Sequence, residues 1–329
     1  MPKLAAGQRA AAFSPHRPLL KWVCGVWLGL CLPAALADAP ALAVAWQPVA
    51  PGVYVFWGAQ EDSLPRNLGG IANAGLVVGE RCAAVIDPGG SLALGLQLRQ
   101  AMAAVTAKPV CAVINTHSHP DHVLGNAAFE QAGVRIHGHH QLPAQLAARG
   151  KAYVETAQRE LGTDLAGSRL VAPTELVAAD SWLDLGGRRL RLQALAKAHT
   201  TNDLTVWDET SDTLFAGDLL FVGRTPVVDG SVQGWLSVLE ALARQHFAQV
   251  VPGHGPLLQR WPEGAQPHIK RLSDYLKRLQ DGTRTAIARG LNLQQAMDSV
   301  AAENVEQWLL FEPYHRRNVA AVFTELEWE

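Results

Sequence analysis

The run Thr116-His117-Ser118-His119-Pro120-Asp121-His122 constrains this chain more than any other stretch. It sets three histidines and one aspartate within six residues, directly after the apolar run Val110-Cys111-Ala112-Val113-Ile114-Asn115. A catalytic metal site needs neutral imidazoles and carboxylates, with one position kept for water. A strand running into a loop this rich in both reads as part of such a site. His117 and His119 alternate with Ser118, so in an extended segment both point the same way. Asp121 and His122 follow and face a neighbouring position. The loop can therefore serve two ions, but it completes the ligand set of neither.

The missing ligands should stand at other strand ends, and three residues do. His199 follows a strand over 190–196, Asp218 follows one over 213–216, and His254 follows one over 249–251. Ala198, Gly217, Gly253 and Gly255 flank them, and small neighbours let backbone and metal approach closely.

The pattern around these residues is α/β. Residues 53–57 are β-rich, and 60–70 form a polar, turn-rich loop. Residues 73–78 and 82–87 read as a hairpin turning at Gly79-Glu80. Ser91 caps a helix reaching about residue 105. Residues 123–131, 141–162, 232–244, 266–289, 292–302 and 313–327 have helical character. Short strands fill the interval 175–216, with a Gly186-Gly187 turn. Strands grouped between helices predict two sheets sandwiched by helices, a four-layer αββα domain spanning 38–329, with a helical extension over about 266–329. The metal loop then lies between a strand end and a helix start, where α/β folds place active sites.

The first 37 residues read differently. Lys3, Arg9, Arg17 and Lys21 stand there without an acid, and an apolar stretch over 22–36, interrupted by Pro33, ends in Ala35-Leu36-Ala37. This is the pattern of a secretory signal cut after Ala37. The stretch is shorter than the roughly 20 residues a spanning helix needs, so no stable membrane span is expected after cleavage. A periplasmic protein is the expectation. Cleavage removes Cys24 and Cys31 and leaves Cys82 and Cys111, which begin neighbouring strands. They can pair in an oxidising compartment or stay as buried thiols. Composition is that of a globular chain, 48% hydrophobic and 18% charged. A net charge of −2 without basic blocks argues against nucleic-acid binding, which needs clustered cations to replace phosphate counterions.

H-x-H-x-D-H, a later A-H-T, then G-D and P-G-H-G together resemble the metallo-β-lactamase superfamily over roughly 53–255. The resemblance implies one metal held by His117, His119 and His199, a second held by Asp121, His122 and His254, and Asp218 bridging the two. True metallo-β-lactamases carry Cys or Ser where Asp218 stands, so the chain looks more like the glyoxalase II-type branch. His119 to Phe129, and Gly217 to Phe221 with Thr225 to Ser231, are similar to exported metallohydrolases of quinoprotein (PQQ-dependent) dehydrogenase systems, related to the SoxH type. That similarity implies a functional link to a quinoprotein dehydrogenase.

The resemblance implies hydrolysis of a small ester or thioester by a hydroxide shared between two zinc ions, with iron or manganese compatible with the same ligands. Asp121 is expected to ligate and to orient that hydroxide. Asp87, Thr116 and Thr200 are the candidates to fix imidazole tautomers, and the resemblance favours Asp87. Two other readings are a β-lactam hydrolase, which Asp218 argues against, and a metal-binding accessory protein without turnover. His137, His139 and His140 read as structural or surface residues, because every family position is already filled. His246, His268 and His315 are expected in solvent. Arg224, just after the Asp218 strand, reads as an exposed residue, with anion binding the less common alternative.

Overall fold

Period-two alternation along the strands decides the layers. In the strand ending beside the metal loop, Ala112 and Ile114 face one way and Val113 the other, and the two sets join different cores. The computed structural model describes residues 43–131, 133–301 and 308–328. The signal expected over 1–37 and the last residue of the helix expected over 292–302 lie outside the described residues.

The first sheet runs in chain order: β1 (Gln47–Ala50), β2 (Val53–Phe56), β3 (Ala74–Val78), β4 (Ala83–Ile86), β5 (Val110–Ile114), β6 (Arg135–His139) and β7 (Glu175–Val177). Strands β1 to β4 are antiparallel and β4 to β7 parallel. The second sheet comprises β8 (Asp180–Asp184), β9 (Arg189–Ala194), β10 (Leu204–Asp208), β11 (Thr213–Phe221), β12 (Phe247–His254) and β13 (Leu258–Trp261). Only β11 and β12 pair in parallel there.

Ala84 and Ile86 of β4 and Ile114 of β5 meet Leu190, Leu192, Val206 and Phe215 of the second sheet in a core between the sheets. On the outer face of the first sheet, Val85 and Val113 pack on Leu94 and Leu98 of α1 (Leu92–Ala101). The metal loop continues into α2 (Pro120–Val123), covered by α3 (Leu142–Leu161) through Val123, Leu142 and Leu146. On the outer face of the second sheet, Leu214 and Val250 pack on α4 (Val232–Leu242), α5 (Gln266–Ala288) and α7 (Phe311–Leu326) through Trp235, Leu276 and Val322; α6 (Leu293–Ser299) joins the same layer through Ala296. The layers are helix, sheet, sheet, helix. Each fully buried Leu or Ile in them contributes about 2 kcal/mol of transfer free energy. No helix among the described residues is long and apolar enough to cross a membrane.

Two local features brace the sheets. Arg188 Nε and Nη2 donate to Asp208 Oδ1 and Oδ2 at 2.8 and 2.6 Å, and Nη1 donates to the Pro51 carbonyl of the first sheet's edge at 2.9 Å. Burial pushes the Asp208 carboxyl up, but the Arg188 guanidinium outweighs it and holds the group below its ordinary range. Cys82 and Cys111 form a disulfide between the starts of β4 and β5, with Cα atoms 5.8 Å apart.

Three expectations change. The helix over 123–131 is instead α2 followed by a 3-10 turn over Leu124–Phe129. Gly125 N–H donates to the Gly89 carbonyl at 2.8 Å rather than up its own helix, and a Cβ there would lie 2.0 Å from the Pro88 carbonyl. The strand over 213–216 extends to Phe221, so Asp218 sits inside β11 rather than at its end. Gly217 takes φ +54, and the register against β12 shifts on both sides of it. Such an irregularity re-aims the next side chain, here Asp218. His315 is buried at 7% exposure, with Nδ1 3.2 Å from the Tyr275 hydroxyl and Nε2 2.9 Å from the Val300 carbonyl.

Candidate metal centre

The seven residues singled out in the sequence converge. His117, His119, His199 and Asp218 form one group that could hold a metal ion, and Asp121, His122 and His254 form a second; within each group the ligand atoms lie within 4.8 Å of one another. All but Asp121 are buried. Asp218 connects the groups. Its Oδ2 lies 3.7 Å from His117 Nε2 and 3.4 Å from His199 Nε2, and its Oδ1 lies 3.2 Å from His122 Nε2 and 3.4 Å from His254 Nε2. Glycine makes room for that carboxylate: a Cβ on Gly253 would lie 1.9 Å from Asp218 Oδ1.

Each histidine spends one ring nitrogen on the protein, which fixes its tautomer and leaves the other facing the cluster. Asp87 takes a left-handed conformation at the end of β4, φ +50, which short polar side chains tolerate. Its carboxylate accepts from Thr116 N at 2.8 Å, from Thr116 Oγ1 at 2.6 Å and from His122 Nδ1 at 2.8 Å. With its proton given to Asp87, Thr116 Oγ1 accepts from His117 Nδ1 at 3.1 Å. His199 Nδ1 donates to the Val227 carbonyl at 2.7 Å and His254 Nδ1 to the Ile71 carbonyl at 2.8 Å. His119 is turned the other way round, its Nε2 donating to Asp229 Oδ2 at 3.1 Å. Arg149 of α3 pairs with the other oxygen of Asp229.

Thr200, expected to orient an imidazole, has a different role. Its N and Oγ1 donate to Asp203 at 2.9 and 2.6 Å, which closes the loop carrying His199 without touching a ring nitrogen. The residues the sequence did not single out are Asp229, Arg149 and the carbonyls of Ile71 and Val227. Asp229 lay within a stretch already marked by family similarity, and a lone acid just ahead of the helix cap Ser231 was the signal available. His137, His139 and His140 lie outside the cluster; His139 accepts from Gln141 N at 3.1 Å.

The donor set fits cations. His117 Nε2, His122 Nε2 and Asp218 Oδ1 are buried without a hydrogen-bond partner, a cost proteins accept where the atoms serve another purpose. His119 Nδ1 and His199 Nε2 lie 3.1 Å apart and, with both protons committed elsewhere, face each other with lone pairs. Burial pushes His199 down to about 3 and, helped by His122, holds His117 well below its ordinary value, so both are neutral donors. Burial opposes ionisation of Asp218 and Asp121, but the surrounding histidines outweigh it and hold both carboxyls below their ordinary range. Burial also opposes charge on His122 and His254, yet Asp218 above all raises both. His117, His199 and the two carboxylates thus stand in the forms that ligate metal, whereas His122 and His254 would give up a ring proton to a bound cation.

A cavity of about 170 Å³ opens onto this cluster. His119, Asp121, Asp218 and His254 form its floor, and Tyr153, Thr156 and Glu160 of α3 face Arg224, Tyr314 and Arg317 as its walls. Asn318 of α7 holds the segment between β11 and α4 in place, donating to the Pro226 carbonyl at 2.7 Å and accepting from Val228 N at 2.9 Å.

The sequence matches the metallo-beta-lactamase superfamily over residues 68–254, more than half of the chain and inclusive of all seven cluster residues. The chain belongs to the metallo-beta-lactamase superfamily. No curated protein sequence matches it. Solved structures share its fold at low identity. The stereoselective inverting sec-alkylsulfatase Pisa1 from Pseudomonas sp. aligns with a TM-score of 0.65 and 15% identity over 86% of this chain, which spans only 50% of the sulfatase. A beta-lactamase domain protein from Burkholderia ambifaria aligns at 0.62 and 19% identity, over 89% of this chain and 90% of that one. The metallo-beta-lactamase FIM-1 from Pseudomonas aeruginosa, in its mono-zinc form, aligns at 0.56 and 16% identity, over 72% of this chain and 96% of that one.

Proposed function

We propose that this metallo-beta-lactamase superfamily member is an exported, dinuclear zinc hydrolase acting on a small ester or thioester in the periplasm. The carrying observation is Asp218, whose two oxygens face two different pairs of histidines. That placement supports a carboxylate shared by two cations, one on His117, His119 and His199 and one on Asp121, His122 and His254. Imidazole and carboxylate donors suit zinc, and iron and manganese are compatible with the same set. Divalent cations bound there lower the pKa of a water and polarise a substrate carbonyl.

The chain's own residues supply the rest. Asp87, Asp229 and two backbone carbonyls hold the five imidazoles in the tautomers that ligate. Asp121 is the most exposed of the seven, its side chain 17% accessible against 3% for Asp218. It stands in the cavity floor, where it can orient an attacking water. In the overall reaction water adds its oxygen to the acyl carbon, the acyl–oxygen or acyl–sulfur bond breaks, and the leaving atom takes a proton.

The Cys82–Cys111 disulfide supports an oxidising compartment, as does the leader pattern over 1–37. The stretches around His119 and Asp218 support a functional link to a quinoprotein dehydrogenase. Metal analysis of purified protein should find about two zinc per chain; less than one, or mainly iron, contradicts the reading. A panel of thioesters, lactones, β-lactams and sec-alkyl sulfates should include an ester or thioester that the wild type turns over and Asp218→Ala does not. Equal inertness of both proteins on every compound overturns catalysis of this kind. N-terminal sequencing of the periplasmic protein should begin at Asp38, and an intact leader on cytoplasmic protein overturns export.

A further inference from the structure

The cavity wall contains a cation with no counter-charge of its own. Arg224 follows β11 and reads in the sequence as an exposed residue, but it is only 2% exposed. Its Nη1 donates to the Glu61 carbonyl at 3.0 Å and its Nη2 to the Tyr314 hydroxyl at 3.2 Å, both neutral acceptors. Its Nε is buried and has no hydrogen-bond partner. Among the described residues no carboxylate oxygen lies within 4.0 Å of it. Tyr314 passes its own proton to Asp62 Oδ1 at 2.9 Å, which turns its lone pairs toward Arg224. Burial pushes the Tyr314 phenol up to about 12, so it stays protonated.

A guanidinium taken out of water is costly unless an anion meets it. Arg224 lines the same cavity as Asp121, Asp218 and His254, and Arg317 of α7 lines it as well. The acids of the floor, Asp121 and Asp218, already face histidines. Glu160 on the α3 wall is the remaining acid; burial, reinforced by Asp121, raises its carboxyl.

We propose that the cavity takes an anionic substrate: a small ester or thioester carrying a carboxylate or similar oxyanion at its far end. Arg224 attracts that group through its guanidinium charge, with Arg317 adding positive charge on the same cavity, while the bond to be cleaved lies over the histidine and aspartate floor. The inference rests on the hydrolase reading of that floor. It explains why Arg224 is buried beside the cluster with one donor uncommitted. The planar guanidinium suits an oxyanion better than an ammonium does, because its donors are fixed in a fork.

The test uses metal-loaded protein and two esters matched except for charge, 4-nitrophenyl hydrogen glutarate and 4-nitrophenyl methyl glutarate. Wild type should favour the anionic ester in kcat/KM by about ten-fold or more, the scale of one charged hydrogen bond. Arg224→Gln should bring the ratio close to one, and Arg224→Lys should keep part of it. The ratio is internal, so a partly unfolded variant does not distort it. A residue that only pinned Tyr314 and the Glu61 loop would lower both esters together. A wild-type ratio near one, or an unchanged ratio in Arg224→Gln, overturns the inference. Turnover of neither ester speaks against the ester reading, and calorimetric titration with glutarate and dimethyl glutarate then decides the inference separately. Glutarate should bind wild type about ten-fold tighter than Arg224→Gln, with dimethyl glutarate showing no such difference. Equal glutarate affinities overturn the inference.

Discussion

The five histidines of the metal cluster, two of them on the cavity floor, and the buried arginine in its wall handle burial in opposite ways. In the cluster every imidazole gives one nitrogen to a fixed acceptor, Asp87, Thr116, Asp229, Val227 or Ile71, and aims the other at a shared centre. In the wall, Arg224 is held by two neutral acceptors and keeps Nε uncommitted. Rigid orientation suits a metal site, where geometry sets affinity. A spare donor suits a ligand that arrives from solution. The difference assigns chemistry to the floor and selection to the wall.

Breaking the floor should have the largest effect. Asp218→Ala should cost about 1000-fold or more in kcat/KM, because it removes the carboxylate that both groups share; steady-state kinetics at saturating zinc checks this. A loss confined to about ten-fold would detach Asp218 from the chemistry.

Away from both floor and wall, Asp208→Asn should lower stability by about 3 kcal/mol near pH 7, since it strands the buried Arg188. Pairing depresses the folded pKa of Asp208. Its stabilisation is therefore present above the unfolded carboxylate's value of about 4 and is lost as pH falls through the lower folded value. Urea unfolding of both proteins between pH 7 and 3 should show their stabilities converge in acid, with zinc content at pH 7 unaltered. A constant gap across that range would remove the ion pair from the explanation.

Smaller effects separate the supports of individual histidines. Asp87→Asn should weaken zinc binding by about 30-fold, because it loosens both His122 and Thr116 behind His117. Asp229→Asn should cost about ten-fold, since it touches His119 alone. Competition with a chelating dye measures both. If Asp229→Asn proved the more damaging, the link through Arg149 to α3 would matter more than the hydrogen bond to His119.

The same division governs what could be read from the sequence. His117 to His122 are contiguous, and His199 and His254 follow apolar runs with small neighbours, so local pattern alone marked them. Asp87, which ends the strand beside the metal loop, was favoured over Thr116 and Thr200 by the family resemblance. Thr200 was misread because a threonine next to a ligand has two places to send its hydroxyl, and Asp203, three residues on, closes the tighter ring. Asp218 was placed at a strand end because the apolar run over 213–216 stops before Gly217, whereas β11 bulges there and continues to Phe221. The wall was not legible. Arg224 becomes buried only when α7, about ninety residues later in the chain, folds back to set Tyr314 and Arg317 beside it. No local pattern carries such a contact. The helix expected over 123–131 failed for the same reason, because the close approach of Gly125 to Pro88 is a tertiary fact.

Anomalous diffraction from crystals of the metal-loaded protein, measured on either side of the zinc edge, tests the central claim most directly. Two zinc peaks are expected, one among His117, His119 and His199 and one among Asp121, His122 and His254, with an oxygen of Asp218 bound to each. A single peak at full metal loading, or an Asp218 carboxylate bound to one ion only, would contradict the account.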